Sequence, residues 1–293
     1  MKQFDYADGH ISDKQIMVAV PSFIIGIGVI SLPQKVASVT MAADGWISLL
    51  IGGIITIIIT WSVAKLSSSF PNQSFLTFSS LIVTKPVAIL LTFLFAAISL
   101  NITALEIRDI ADISKHYLLR ETPIEVISLT FFLIIIYAVA NSRVGLFRLN
   151  ALFLPFVLVI AIIVIVFNIK WFNIGHLLPA FETSISGYVE GVKQSVLSYA
   201  GFGILWFYIA LVRKPEKTAQ LAVFGLSIPI VLYLLLYITC ILVFGNSATS
   251  NLHYSTVELA KTVIIPGGGI LERFESIFLL FGSWQFLIQQ QWH

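Results

Sequence analysis

Apolar residues in this chain neither alternate nor recur every third or fourth position; they run on. Eight stretches, roughly 15–37, 45–67, 86–106, 123–141, 147–168, 189–212, 219–244 and 270–288, are each apolar over about the 20 residues a helix needs to cross a bilayer. Continuous runs argue against a transmembrane barrel, whose strands are short and alternate. Pro123 at the start of the fourth run and Gln289, Gln290 and Gln291 after the eighth make these two the weakest spans.

Between the runs, three polar segments carry patterns of their own. In "EIRDIADISKHYLLRE" at 106–121, Ile107, Ile110, Ile113 and Leu118 fall at helical spacing with charges opposite, which predicts that the third helix runs on past the bilayer. Ser255 and Glu258 in "HYSTVELAKTV" at 253–263 have the spacing of a capping box and predict a short helix in an outer loop. "FPNQSFLTFSSL" at 70–81 is mildly amphipathic and predicts a segment lying along the inner face.

Two apolar runs are interrupted by glycine pairs. "SFIIGIGVISLPQ" at 22–34 places Gly26 and Gly28 around Ile27, and five spans later "SYAGFGILW" at 198–206 places Gly201 and Gly203 around Phe202. Where a helix unwinds in a bilayer, the freed N–H and C=O groups need protein, water or a ligand to satisfy them. Matching interruptions in two halves point to an inverted repeat with a ligand site at the unwound segments. A zwitterion fits such a site, its carboxylate at the N-terminal end of one half-helix and its ammonium on carbonyls at the end of another. The alternative for each pair is close helix packing, as for Gly52 and Gly53 in the second run.

Composition agrees with the pattern: 58% of the 293 residues are apolar, 11% are charged, and the mean hydropathy is +0.95. An ordinary soluble domain is excluded. A net charge of +2 from scattered Lys and Arg gives no basis for a nucleic-acid partner. Cys240 is the only cysteine, so no intramolecular disulfide forms, and the five histidines have no ligand spacing for a metal. Residues 1–15 are too polar and acidic for a cleaved signal, so the first span is expected to be retained. With the N-terminus inside, nine cations fall on inner segments and eight on outer ones; the short basic loops near 143 and 213 decide for N-terminus inside. No Lys or Arg lies within 151–168, which leans toward a sensor rather than a proton-coupled pump, and no nucleophilic constellation suggests an enzyme.

"ISDKQIMVAVPSFIIGIGVISLPQ", "DGWISLLIGG" at 44–53, "LSYAGFGILWF" at 197–207 and "PGGGILERFESIF" at 266–278, in this order, resemble the B subunit of bacterial spore germinant receptors, a branch of the amino acid, polyamine and organocation transporter superfamily. The resemblance covers nearly the whole chain. It implies an all-α integral membrane protein with a LeuT-like five-plus-five inverted repeat and a cytoplasmic N-terminus, in the inner membrane of an endospore. Residues 1–168 would form the first repeat and 169–293 an incomplete second one, the chain stopping after about eight spans. The implied ligand is a small germinant, typically an amino acid; the implied partners are the A and C receptor subunits; no cofactor is implied. Where the family usually has glutamate after the Gly-Phe of the sixth helix, this chain has Gly203.

The site expected from these readings has Gly26, Gly28 and Gly201 offering backbone groups, Tyr199 and Phe202 bracketing the ligand, and Ile30 in its side-chain pocket. Tyr199 is equally a packed tyrosine, and Asn101 on the third helix is either a ligand contact or an interhelical hydrogen bond. Glu106, Arg108, Asp109 and Asp112 are expected to form a solvated salt-bridge face, and Arg273 to pair with Glu272 or Glu275. Three functions stand at this point: a germinant sensor, a proton- or sodium-coupled amino acid transporter, and a truncated chain that inserts without binding anything.

Overall fold

The computed structural model describes residues 13–71, 73–140, 143–209, 212 and 217–263; the eighth apolar run, the "PGGG" segment and residues 272–275 lie outside them. The described chain is helical throughout: α1 (Asp13–Ile24), α2 (Ile27–Ala37), α3 (Gly45–Ser68), α4 (Phe75–Ile82), α5 (Lys85–Tyr117), α6 (Ile124–Val139), α7 (Arg143–Asn168), α8 (Ile185–Ser198), α9 (Leu205–Tyr208), α10 (Thr218–Phe244), α11 (Asn246–Asn251) and α12 (Ser255–Lys261). Among the described residues, four helices are long and apolar enough to cross a membrane: α3, α5, the 151–171 stretch that begins in α7, and α10. The pair α1 and α2, bent by 54°, makes a fifth if counted as one span. The fourth run forms the shorter helix α6, and the sixth is not one helix but α8, a 3-10 turn at Gly201–Ile204, and α9.

Helix α10 is the centre of the packing. Leu226, Tyr233, Leu236, Tyr237, Cys240 and Ile241 on it are fully or almost fully buried, against α1, α2 and α3. Small residues let the helices approach: a Cβ on Gly225 would stand 2.5 Å from the Met17 carbonyl oxygen of α1, and one on Gly52 of α3 would stand 2.6 Å from Ser195 Cβ of α8. On α3 the buried face is Ser48, Gly52, Gly53, Thr56 and Thr60, while Ile51, Ile54, Ile58 and Trp61 face outward. That inversion is expected in lipid, where large apolar side chains gain nothing by turning inward and close backbone contact does.

Polar caps fasten the connecting segments onto this bundle. Asp44, buried at the start of α3, accepts hydrogen bonds from Phe181 N at 2.7 Å and from the backbone and hydroxyl of Thr183 at 3.0 and 2.9 Å, which seats the entry of α8 beside α3. Burial alone would push the Asp44 carboxyl up; these bonds, joined by Tyr188, outweigh it and hold it below the ordinary value of 3.8. A depressed carboxylate contributes stability that is complete above its ordinary value and is lost as pH falls through the folded one. Asp44→Asn should therefore lower stability by about 1–3 kcal/mol at neutral pH, and thermal unfolding in detergent should show the gap to the unmodified chain narrowing in acid.

The polar segments between the runs fold partly as their patterns predict. Helix α5 is continuous for 33 residues to Tyr117, with Ile107, Ile110 and Ile113 buried. Helix α12 forms, but its cap is Tyr254 rather than Ser255, with no side-chain capping bond. It is held instead by Thr256 Oγ1 donating to Val29 O at 2.8 Å and Tyr117 Oη donating to Glu258 Oε1 at 2.8 Å. Asn246 Nδ2 donates to the carbonyls of Ala37, Thr40 and Ala42 at 3.1–3.2 Å, closing the C-terminal end of α2.

Candidate functional site

Gly26 ends the first half-helix with non-helical backbone angles, φ −133° and ψ −124°, and α2 begins at the next residue. Pro21 lies inside α1, one turn before the break, and offers no backbone donor there. The carbonyl freed at Ile24 accepts from Gly26 N at 2.9 Å and from Tyr233 Oη of α10 at 2.7 Å. A buried tyrosine therefore takes the place that water would take at a break in contact with solvent. Its ring stacks on Tyr199, centroids 5.6 Å apart and planes at 18°.

Tyr199 itself marks the second break. It caps α8, and Gly201 N turns back to Tyr199 O at 2.7 Å before the 3-10 turn begins. The two breaks touch: a Cβ on Gly201 would stand 2.4 Å from Ile24 Cγ1 and 3.0 Å from Phe23 Cδ1. Bare backbone at residue 201 is what allows the ends of α1 and α8 to meet.

Beside this junction lies a cavity of about 340 Å³, walled by one stripe from each of four elements. Phe23 and Ile24 come from α1; Gly28, Ser31 and Lys35 from α2; Ile102, Leu105, Glu106 and Asp109 from α5; Gln194, Leu197, Ser198, Ala200 and Gly201 from α8 and the break after it. The walls combine apolar side chains with a few polar groups, the usual make-up of a small-molecule site. Glu106 Oε2 is buried and has no hydrogen-bond partner among the described residues. Leaving a buried acceptor unmade costs about 1–3 kcal/mol, more for a charged one.

Of the residues expected from the sequence, Gly28 and Gly201 line this cavity and Gly26 is buried at the hinge behind it. Ile30 is buried in the helical core, Phe202 packs against that core, and neither lines the cavity. Tyr199 is fully buried against Tyr233, and its hydroxyl has no partner among the described residues. Asn101 is exposed, its amide donating to Ala97 O of its own helix at 2.8 Å. Gly203, at the position of the family glutamate, has open space where a Cβ would stand.

The charged cluster near the C-terminal end of α5 does not form the solvated face expected of it. Arg108 is exposed, but Glu106 and Asp109 turn into the cavity, and Asp112 accepts from Tyr254 Oη at 2.9 Å. Glu106 is the functional candidate that sequence reasoning set aside. Its signal was in the chain: Ile102, Leu105, Glu106 and Asp109 fall at i, i+3, i+4 and i+7, one stripe of a helix, and that stripe carries two acids.

Two broken helices meeting over a cavity are the arrangement in which the motifs at 22–34 and 198–206 were read. The family described as "Spore germination protein" matches residues 10–290 of the chain. The chain belongs to the spore germination protein family. Its similarity to spore germination protein GerLB of Bacillus cereus is 43% identity over 286 residues, covering 97% of this chain and 76% of that one. It is 29% identical to spore germination protein YndE of Bacillus subtilis, covering 92% and 74%, and 27% identical to spore germination protein A2 of the same organism, covering 91% and 73%. The resemblance to germinant receptor B subunits read from four motifs agrees with this membership, and the family is not one of enzymes. With its long apolar helices, this member of the family is an integral membrane protein.

Proposed function

We propose that the chain is the nutrient-sensing B subunit of a spore germinant receptor, and that a small amino acid binds in the cavity between the two helix breaks and triggers germination. The observation that carries this reading is the convergence of both glycine breaks on one cavity of amino acid size with polar groups in an apolar wall. Breaks in what would be the first helix of each half fit a five-plus-five inverted repeat. The names of the relatives, all spore germination proteins, support the same role.

A binding event at this place has something to move. The half-helices α1 and α2 meet at a bend of 54°, and Gly201 packs directly on Ile24 and Phe23. A ligand seated against Gly28 and Gly201 with different affinity for two bend angles shifts the population between them. Receptor A and C subunits would read that shift, in the inner spore membrane with the N-terminus on the cytoplasmic side.

The test is made in spores whose only nutrient receptor contains this chain with its A and C subunits. Germination in response to an aliphatic L-amino acid, absent when the chain is deleted, supports the sensor. Uptake of radiolabelled amino acid by vesicles containing the chain, at a rate that scales with an imposed proton or sodium gradient, would assign it to transport instead.

A further inference from the structure

Four carbonyls at the two breaks already accept hydrogen bonds. Ile24 O holds two donors, Gly26 N and Tyr233 Oη, which fills both lone pairs. Pro21 O accepts from Ile25 N at 2.9 Å, Leu197 O from Ala200 N at 3.3 Å, and Tyr199 O from Gly201 N at 2.7 Å. At these four carbonyls a ligand ammonium would compete with a donor already in place, and at Ile24 O with two. On the facing wall, the carboxyl of Glu106 lines the cavity with one oxygen buried and unpartnered. It also lies within electrostatic range of Tyr233, the residue that occupies Ile24 O.

We propose that Glu106 is the receptor for the positive group of the ligand. An α-amino acid enters the cavity with its ammonium on the Glu106 carboxylate and its carboxylate toward the N-terminal end of α2 at Gly28. The arrangement is dipolar: Glu106 on α5 supplies the negative pole, and the positive N-terminal end of α2 beside Gly28 supplies the other. Asp109 is within Coulombic reach of Lys35, whereas among the described residues no cation stands against Glu106, whose charged neighbour is Asp109. Phe23, Ile24, Ile102, Leu105 and Leu197 leave an apolar wall for the side chain, which selects aliphatic amino acids over polar ones. The inference rests on the cavity being the ligand site.

The experiment measures equilibrium binding of radiolabelled L-alanine, L-valine and L-leucine to the purified full chain in nanodiscs, and competition by the matching 2-hydroxy acids. Replacing ammonium by hydroxyl removes the charge and keeps the shape. The unmodified chain should bind at least one amino acid and its 2-hydroxy acid about ten- to a hundredfold more weakly, the size of a lost charge-assisted hydrogen bond. Glu106→Gln should weaken amino acid binding by the same factor and leave the 2-hydroxy acid unchanged, a split that general misfolding would not produce. Ala200→Trp, which fills the cavity at an exposed lining position, separates the two readings. If it abolishes binding while Glu106→Gln binds as the unmodified chain does, Glu106 is not the receptor and the cavity stands. If it leaves binding intact, or if none of the three amino acids binds, the cavity is not the site and both readings fall. Equal affinity of the unmodified chain for an amino acid and its 2-hydroxy acid would overturn the role of Glu106 without any variant.

Discussion

Gly28→Leu should abolish the response to the nutrient, weakening ligand affinity by more than about a hundredfold, roughly 2.7 kcal/mol, while the chain still inserts and accumulates in the membrane. Gly28 lines the cavity, and a Cβ there would stand 2.8 Å from Tyr233 Oη. A leucine must therefore either fill the ligand space or push Tyr233 off the carbonyl of Ile24. Overpacking of that kind costs about 1–3 kcal/mol, tolerable for a bundle whose other contacts are untouched. Binding in nanodiscs and germination of spores carrying the variant give the two readouts. Wild-type sensitivity in both would mean that nothing binds against α2.

Tyr233→Ala should be the most damaging single change to the fold, at about 3–5 kcal/mol, the usual cost of deleting a buried aromatic ring. The ring is 1% exposed, stacks on Tyr199 and donates to Ile24 O, so its loss leaves a void under Gly28 and frees the first break. Tyr233→Phe keeps the ring and removes only the donor; because Gly26 N still reaches Ile24 O, about 1 kcal/mol is expected. Thermal unfolding in detergent should rank the two variants in that order. If Tyr233→Phe were as destabilising as Tyr233→Ala, the hydroxyl rather than the packing would be what holds the break.

How much of this was legible in the chain depends on what each feature requires. The four long spans needed only length and apolarity, and the breaks only glycines set in apolar runs with Pro21 nearby; both kinds of signal are local. The continuity of α5 beyond its apolar run also followed from the spacing of Ile107, Ile110 and Ile113. Which side of α5 faces the breaks is not a local property. Asn101 and Ile102 are neighbours in sequence but about 100° apart around the helix, and in the structure Ile102, although 39% exposed, lines the cavity while Asn101 bonds back to its own helix. The same rotation brings Glu106 and Asp109 into the cavity, where a charge near the end of an apolar run reads as solvated. Phe202 fails for a related reason: the 3-10 turn aims Gly201 at Ile24 and packs the next side chain, half-buried, against the core. Tyr233 could not be found at all, since nothing in α10 records that its hydroxyl meets a carbonyl 209 residues away.

The central claim is that the ligand occupies the space between the two breaks, and a thiol placed there reports on it directly. Cys240 is the only cysteine in the chain and is fully buried, so the background for labelling is low. Ser198→Cys puts a thiol on the cavity wall with almost no change in shape. Its labelling by N-ethylmaleimide in the receptor complex, followed with and without a saturating aliphatic amino acid, should slow at least severalfold when that amino acid triggers germination. Labelling that proceeds at the same rate with and without an amino acid to which the spores respond would contradict the account, because the ligand would then be bound elsewhere.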